Sequence, residues 1–184
     1  MVYPFRVLFL FCILLCSSIS FASEYNNDTL NIFSKISPRL ILMSSQKEKL
    51  KNTINICVLH DKIDKNLALS LIDKTDNSYP NGIKNYKIIF TKNNYANIEN
   101  CENSQLLFLF NTDDNNIKKT LEYAQKKKIL TISYDQKLLE NGVDISLFLG
   151  RKIIPYINVE NIVKKDIVLN NILLRISKIY KRDK

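Results

Sequence analysis

Leu106-Leu107-Phe108-Leu109-Phe110 is an unbroken apolar run, closed by Asn111-Thr112-Asp113-Asp114. A strand with one wet face alternates apolar and polar residues. This run does not alternate, so both its faces are covered, as in a central strand of a parallel sheet with helices on either side. Its surroundings fit that reading. Downstream, Asp113-Asp114 can cap a helix running through Lys128, with Ile117, Leu121 and Ala124 turned inward, and Ile129–Ser133 follows as another strand. Upstream, Ile54–Leu59 is a second buried strand. Asp64 can cap the helix after it, which runs through about Lys74 with Leu67, Leu71 and Ile72 inward. Pro80 and Gly82 mark Asn77 to Asn85 as a loop. Tyr86–Phe90 is a short strand, and Lys92–Asn103 is a polar, Asn-rich connection.

The flanks extend the pattern. Residues 24–44 form an amphipathic helical stretch capped by Asp28, with Leu30, Phe33, Ile36 and Leu40 at helical spacing. Pro38 is expected to kink or end it. After one or two helical turns at Asp135–Glu140, Ile145–Leu149 and Lys152–Asn158 make a hairpin about Gly150-Arg151, with Pro155 at an edge or a bulge. A final helix runs from about Asp166 to Lys181, striped by Val168, Ile172, Ile176 and Tyr180 beside Leu169 and Leu173. Strands alternating with helices define an α/β fold. It is a three-layer Rossmann-like or flavodoxin-like sandwich with a mainly parallel sheet and a C-terminal β-hairpin plus helix.

Residues 1–22 read as a secretory signal peptide. Arg6 supplies the charged start, Val7–Leu15 the apolar run, and Ser20-Phe21-Ala22 the small-x-small site, so cleavage falls between Ala22 and Ser23. The apolar run is short for a membrane span, which needs about 20 residues. Residues 23–184 then form a single exported domain. It carries 26 basic and 18 acidic side chains, a formal charge of +8. Nucleic acid is not the expected partner. The lysines are scattered in a Lys-, Ile- and Asn-rich composition, and Arg occurs only 5 times in the whole chain.

With 3 Gly and 1 His, the chain has neither the spacing for a G-x-G-x-x-G or P-loop phosphate cradle nor the pair of histidines of H-E-x-x-H. His60 follows a strand end and reads as an exposed loop histidine. Asp113-Asp114 reads as a helix cap rather than an acid–base pair. No catalytic residue, metal site or cofactor is assigned, and the chain is expected not to be an enzyme. Export leaves Cys57 and Cys101, which in an oxidising compartment suggest one disulfide; two free buried thiols are the alternative. Phe148, Tyr156 and Tyr180 gather toward the C-terminus as either core packing or an exposed patch for a protein partner.

Several segments resemble the YfiR-like periplasmic proteins. INICVLHD (54–61) looks like the family's I-C-V-L-G-D strand, with His60 in place of Gly. Cys101 with Leu106–Phe110 is similar to its Cys-containing approach to a central strand. ILTISYDQKLLENG (129–142), VDISLFLGRKIIPYIN (143–158) and LNNILLRISKI (169–179) resemble its next strand, its hairpin and its closing helix. The resemblance implies a regulatory binding protein that restrains an inner-membrane diguanylate cyclase, and so controls cyclic-di-GMP signalling and biofilm formation. It also implies that the redox state of Cys57 and Cys101 tunes the protein. The alternative is a small-ligand sensor module acting with a membrane histidine kinase. The implied partners are the periplasmic domain of a diguanylate cyclase or sensor kinase, and a second copy of the chain in a homodimer.

Overall fold

A computed structural model describes residues 27–149 and 151–181. The signal segment, with Ala22 and Ser23, lies outside the described residues, as does Gly150 of the hairpin turn. Helix α1 (Asn27–Leu42) leads into a 3-10 turn at Ser45–Lys49. Strand β1 (Thr53–Leu59), helix α2 (Lys65–Ser78) and strand β2 (Lys87–Asn93) follow, then a 3-10 segment at Tyr95–Cys101 and strand β3 (Leu106–Leu109). Next come α3 (Asp114–Lys127), β4 (Leu130–Ser133), α4 (Leu138–Asn141), β5 (Ile145–Leu149) and β6 (Ile153–Ile157). Two short helices, α5 (Val159–Lys164) and α6 (Asn171–Ile176), and a two-residue strand, β7 (Lys178–Ile179), complete the order.

The strands form one sheet in the order β2-β1-β3-β4-β5-β6-β7. Pairing is parallel from β2 through β5, antiparallel between β5 and β6, and parallel again between β6 and β7. The first five strands have the flavodoxin-like arrangement, in which the chain reverses direction across the sheet between β1 and β3.

Alternate residues of the central strands feed two cores, which explains why their sequences are apolar throughout. Ile54, Ile56, Val58, Leu106, Phe108, Leu130 and Ile132 face Leu30, Phe33, Leu40 and Ile41 of α1 and Ala68 and Leu71 of α2. Cys57, Leu59, Leu107 and Leu109 face Ile117 and Ala124 of α3, Tyr95 and Ile98 of the 3-10 segment, and Leu138 of α4. Phe33 meets Phe108 edge to face at 5.3 Å. The helix-capping reading of Asp113 holds: its side chain accepts a hydrogen bond from the Asn116 backbone N–H at 3.0 Å. Asp113→Ala is expected to lower stability by about 1 kcal/mol in chemical denaturation, with the sheet intact.

Three expectations are corrected. Pro38 does not end α1, which runs on to Leu42. The hairpin register pairs Leu149 with Ile153, so three residues connect the strands rather than two. The helix expected from about Asp166 to Lys181 shortens to α6, Asn171–Ile176, and a separate helix, α5, precedes it at residues 159–164. Asn158 caps α5 and Asn170 caps α6 through side-chain bonds to backbone N–H groups, and the chain then turns extended to pair β7 with β6. Consequently the stripe of Val168, Ile172 and Ile176 faces outward, at 67%, 64% and 52% exposure, while Leu169 and Leu173 are buried. Pro155 pairs with Leu147, and β7 reaches only Tyr156 and Ile157, so the proline lies where β6 has a single sheet neighbour.

Candidate functional site

The carboxyl ends of β1 and β3 meet at the reversal point, where doubly wound sheets open a crevice. There Thr112 Oγ1 donates to Asp61 Oδ2 at 2.6 Å. Asn116 Nδ2 donates to Asp113 Oδ2 at 2.6 Å and to Thr112 Oγ1 at 3.3 Å. Both carboxylates are therefore engaged in holding loops and a helix start. His60 is buried, at 8% exposure, rather than exposed. Its backbone N–H bonds Asn93 O at 3.1 Å, continuing the β1–β2 ladder by one residue. Its Nδ1 lies 2.8 Å from Asp61 O, a carbonyl that can only accept, which places the proton on Nδ1. These contacts give the histidine a structural place.

Behind this edge, Cys57 of β1 and Cys101 of the 3-10 segment are joined by a disulfide with Cα atoms 5.6 Å apart. Both residues are fully buried. Asn93 Nδ2 approaches the two sulfurs at 3.8 and 3.7 Å, while its carbonyl holds His60. Tyr95 OH donates to the carbonyl of Phe110 at the end of β3. The disulfide, the 3-10 segment and the carboxyl edge are thus one connected unit. Burial, with Glu102 and Glu99 nearby, pushes the phenol of Tyr123 up from its ordinary value on the same side of the sheet. Asn93 and Tyr95 were not singled out from the sequence, because they sit in an Asn-rich stretch where no single residue stands out. Among the described residues no three His, Cys, Asp or Glu side chains gather as a metal site.

A second feature lies at the other end of the sheet. Seven of the ten exposed large apolar side chains among the described residues fall between Ile153 and Ile179. Within 151–181 the acids are Glu160 and Asp166 alone, and each is paired, with Lys164 at 2.7 Å and Lys128 at 2.6 Å. The Lys128 ammonium holds the Asp166 carboxyl below its usual value. Arg151, Lys152, Arg175, Lys178 and Lys181 make the same segment basic. Phe148, Tyr156 and Tyr180 are half-buried and pack ring to ring.

These features define a doubly wound α/β domain stapled by one internal disulfide, with a basic C-terminal segment that exposes apolar side chains. Residues 40–178 match the YfiR/HmsC-like family, and the chain belongs to it, a family of periplasmic regulatory proteins. Among solved structures, a conserved domain protein from Vibrio cholerae O1 biovar El Tor is similar, with a TM-score of 0.59 at 14% identity over 83% of this chain and 60% of that one. An ABC domain in complex with L-Trp from Streptococcus pneumoniae gives 0.57 at 10% identity over 80% and 60%. The open, ligand-free form of a substrate-binding protein with adhesive properties from Clostridium difficile gives 0.55 at 9% over 79% and 59%. At such identities the likeness is one of fold, and the match spans about 60% of each solved chain. No curated protein matches the sequence. Among the described residues, no helix is long and apolar enough to cross a membrane.

Proposed function

We propose that this chain, exported and cleaved between Ala22 and Ser23 to leave one domain over residues 23–184, restrains an inner-membrane diguanylate cyclase by binding its periplasmic sensor domain. Family membership supports the regulatory role. The observation that carries the binding reading is the outward stripe of Val168, Ile172 and Ile176 in a basic segment, since exposed aliphatic clusters mark interaction surfaces. The role is binding rather than catalysis. It works by population shift, the regulator binding the inactive sensor conformation more tightly than the active one. A basic rim suits an acidic sensor face and speeds encounter in a salt-dependent way.

The test is cellular cyclic-di-GMP in a strain lacking the protein, beside strains complemented with the natural chain and with Ile176→Asp. Deletion raises the nucleotide, the natural chain lowers it again, and Ile176→Asp does not. Because Ile176 is 52% exposed, the variant keeps its thermal midpoint within a few degrees, which circular dichroism checks. Unchanged cyclic-di-GMP on deletion, across several growth conditions, removes the cyclase as partner and favours the sensor-kinase reading. An association rate that does not respond to ionic strength removes the steering.

A further inference from the structure

Pairing across the last three strands sets four side chains on one face of the sheet. Tyr156 is opposite Ser146 and next to Lys178, and Phe148, two residues beyond Ser146, lies diagonal to Tyr156. Tyr180 follows Lys178 by two residues, anchored by its backbone N–H to Ile157 O at 2.7 Å. The rings of Phe148 and Tyr156 stand nearly perpendicular, at 87°, with centroids 6.2 Å apart. Those of Tyr156 and Tyr180 stand at 72° and 5.6 Å. The Lys178 ammonium sits in the angle, 4.2 Å from the Phe148 centroid and 5.1 Å from that of Tyr156. Among the described residues no carboxylate lies within salt-bridge distance of it. Two ring faces hold this cation.

We infer that the Phe148–Tyr156–Tyr180 cluster is a binding site for quaternary ammonium compounds, with Lys178 as its tethered internal occupant. Aromatic faces attract cations through their quadrupole, and clusters of rings are the usual receptors for quaternary ammonium groups. A primary ammonium suits such a cradle poorly, because it is strongly hydrated and loses water on contact with the rings. A trimethylammonium group has no N–H to leave unsatisfied, and its methyl groups fill the space between rings. Lys178 is itself exposed, so its side chain can swing into solvent when a better cation arrives. Tethering gives it the advantage of high effective concentration, so the natural protein binds an added cation more weakly than the bare cradle does. The site stands on the hairpin and β7 alone and does not depend on the cyclase reading.

The experiment is a choline titration of the purified protein, followed by NMR through the ring protons of the three aromatics at constant ionic strength. The neutral isostere 3,3-dimethylbutan-1-ol is titrated in parallel. Choline shifts all three rings in the natural protein. Lys178→Ala tightens choline binding by about tenfold, and in that variant choline binds about fivefold more tightly than the isostere. Phe148→Leu in the Lys178→Ala background abolishes the choline response. Should that double variant fold poorly by its backbone NMR spectrum, the choline-to-isostere ratio in Lys178→Ala still decides. Equal affinity for choline and isostere in Lys178→Ala, or affinity no tighter than in the natural protein, overturns the site. Flotation with phosphatidylcholine vesicles separates sources of the group: co-flotation that Lys178→Ala strengthens supports a lipid headgroup, and its absence beside choline binding supports a free solute.

Discussion

Cys57→Ala/Cys101→Ala is expected to lower the free energy of unfolding by about 4 kcal/mol. That figure is the chain entropy regained when a closed loop spanning a separation of 44 residues is released in the unfolded state. Alanine is the replacement of choice. Both positions are fully buried, and serine would add two buried hydroxyls needing partners. With a urea slope of about 2 kcal/mol/M, the midpoint falls by about 2 M. The loss has a local side as well. Asn93 contacts both sulfurs and holds His60, and Tyr95 ties the segment bearing Cys101 to the end of β3. Amide exchange in 93–101 should therefore accelerate more than exchange in β4, which is separated from β1 by β3. A midpoint within 0.5 M urea of the oxidised natural protein would mean that the loop is already restrained in the unfolded chain. It would also remove the stability basis for any redox tuning of the protein.

How far the sequence revealed this arrangement depends on what kind of signal each part carries. The core strands were legible because burial on both faces leaves its mark residue by residue: every position from Leu106 to Leu109 is buried. The cap at Asp113 was legible because its partner is local. The C-terminal helix was misread for the same reason that the stripe looked sound. Val168, Ile172, Ile176 and Tyr180 do recur at helical spacing, but the spacing cannot say whether the stripe faces a core or a partner. Asn170 is a cap signal available in the sequence, and it marks the start of the short α6. His60 looks exposed in the sequence because its burial depends on β2 extending to Asn93, a tertiary pairing with no trace in its neighbours.

The buried ion pair was not legible at all, and removing half of it carries the second large effect. In the sequence Lys165 sits in the charged run Lys164-Lys165-Asp166, and Asp144 follows Gly142-Val143, so neither was singled out. Yet their side chains are 4% and 0% exposed, and Lys165 Nζ lies 2.5 Å from Asp144 Oδ2. All three ammonium protons are used, the others going to Ile129 O at 3.1 Å and Thr131 Oγ1 at 3.4 Å. Thr131 gives its hydroxyl proton and its backbone N–H to the same Asp144 oxygen, at 2.9 and 2.8 Å, and accepts from the Asp144 backbone N–H at 3.0 Å. The location explains why so much is concentrated here. Ile132 and Ile145 are the register pair joining β4 to β5, so the ladder is thin where the parallel sheet meets the hairpin. Asp144 extends that junction with a side chain, and Lys165 ties it to the end of α5. Lys165→Met leaves a buried carboxylate without its cation and is expected to cost about 3–5 kcal/mol, whereas Asp144→Leu/Lys165→Met together cost far less, because two desolvated charges leave at once. A urea-denaturation cycle over the natural protein, the two single variants and the double variant measures the coupling. Additive losses would show that the pair contributes only packing. Strong coupling would make it the joint through which the parallel sheet holds the hairpin, β7 and the exposed stripe of α6 in place.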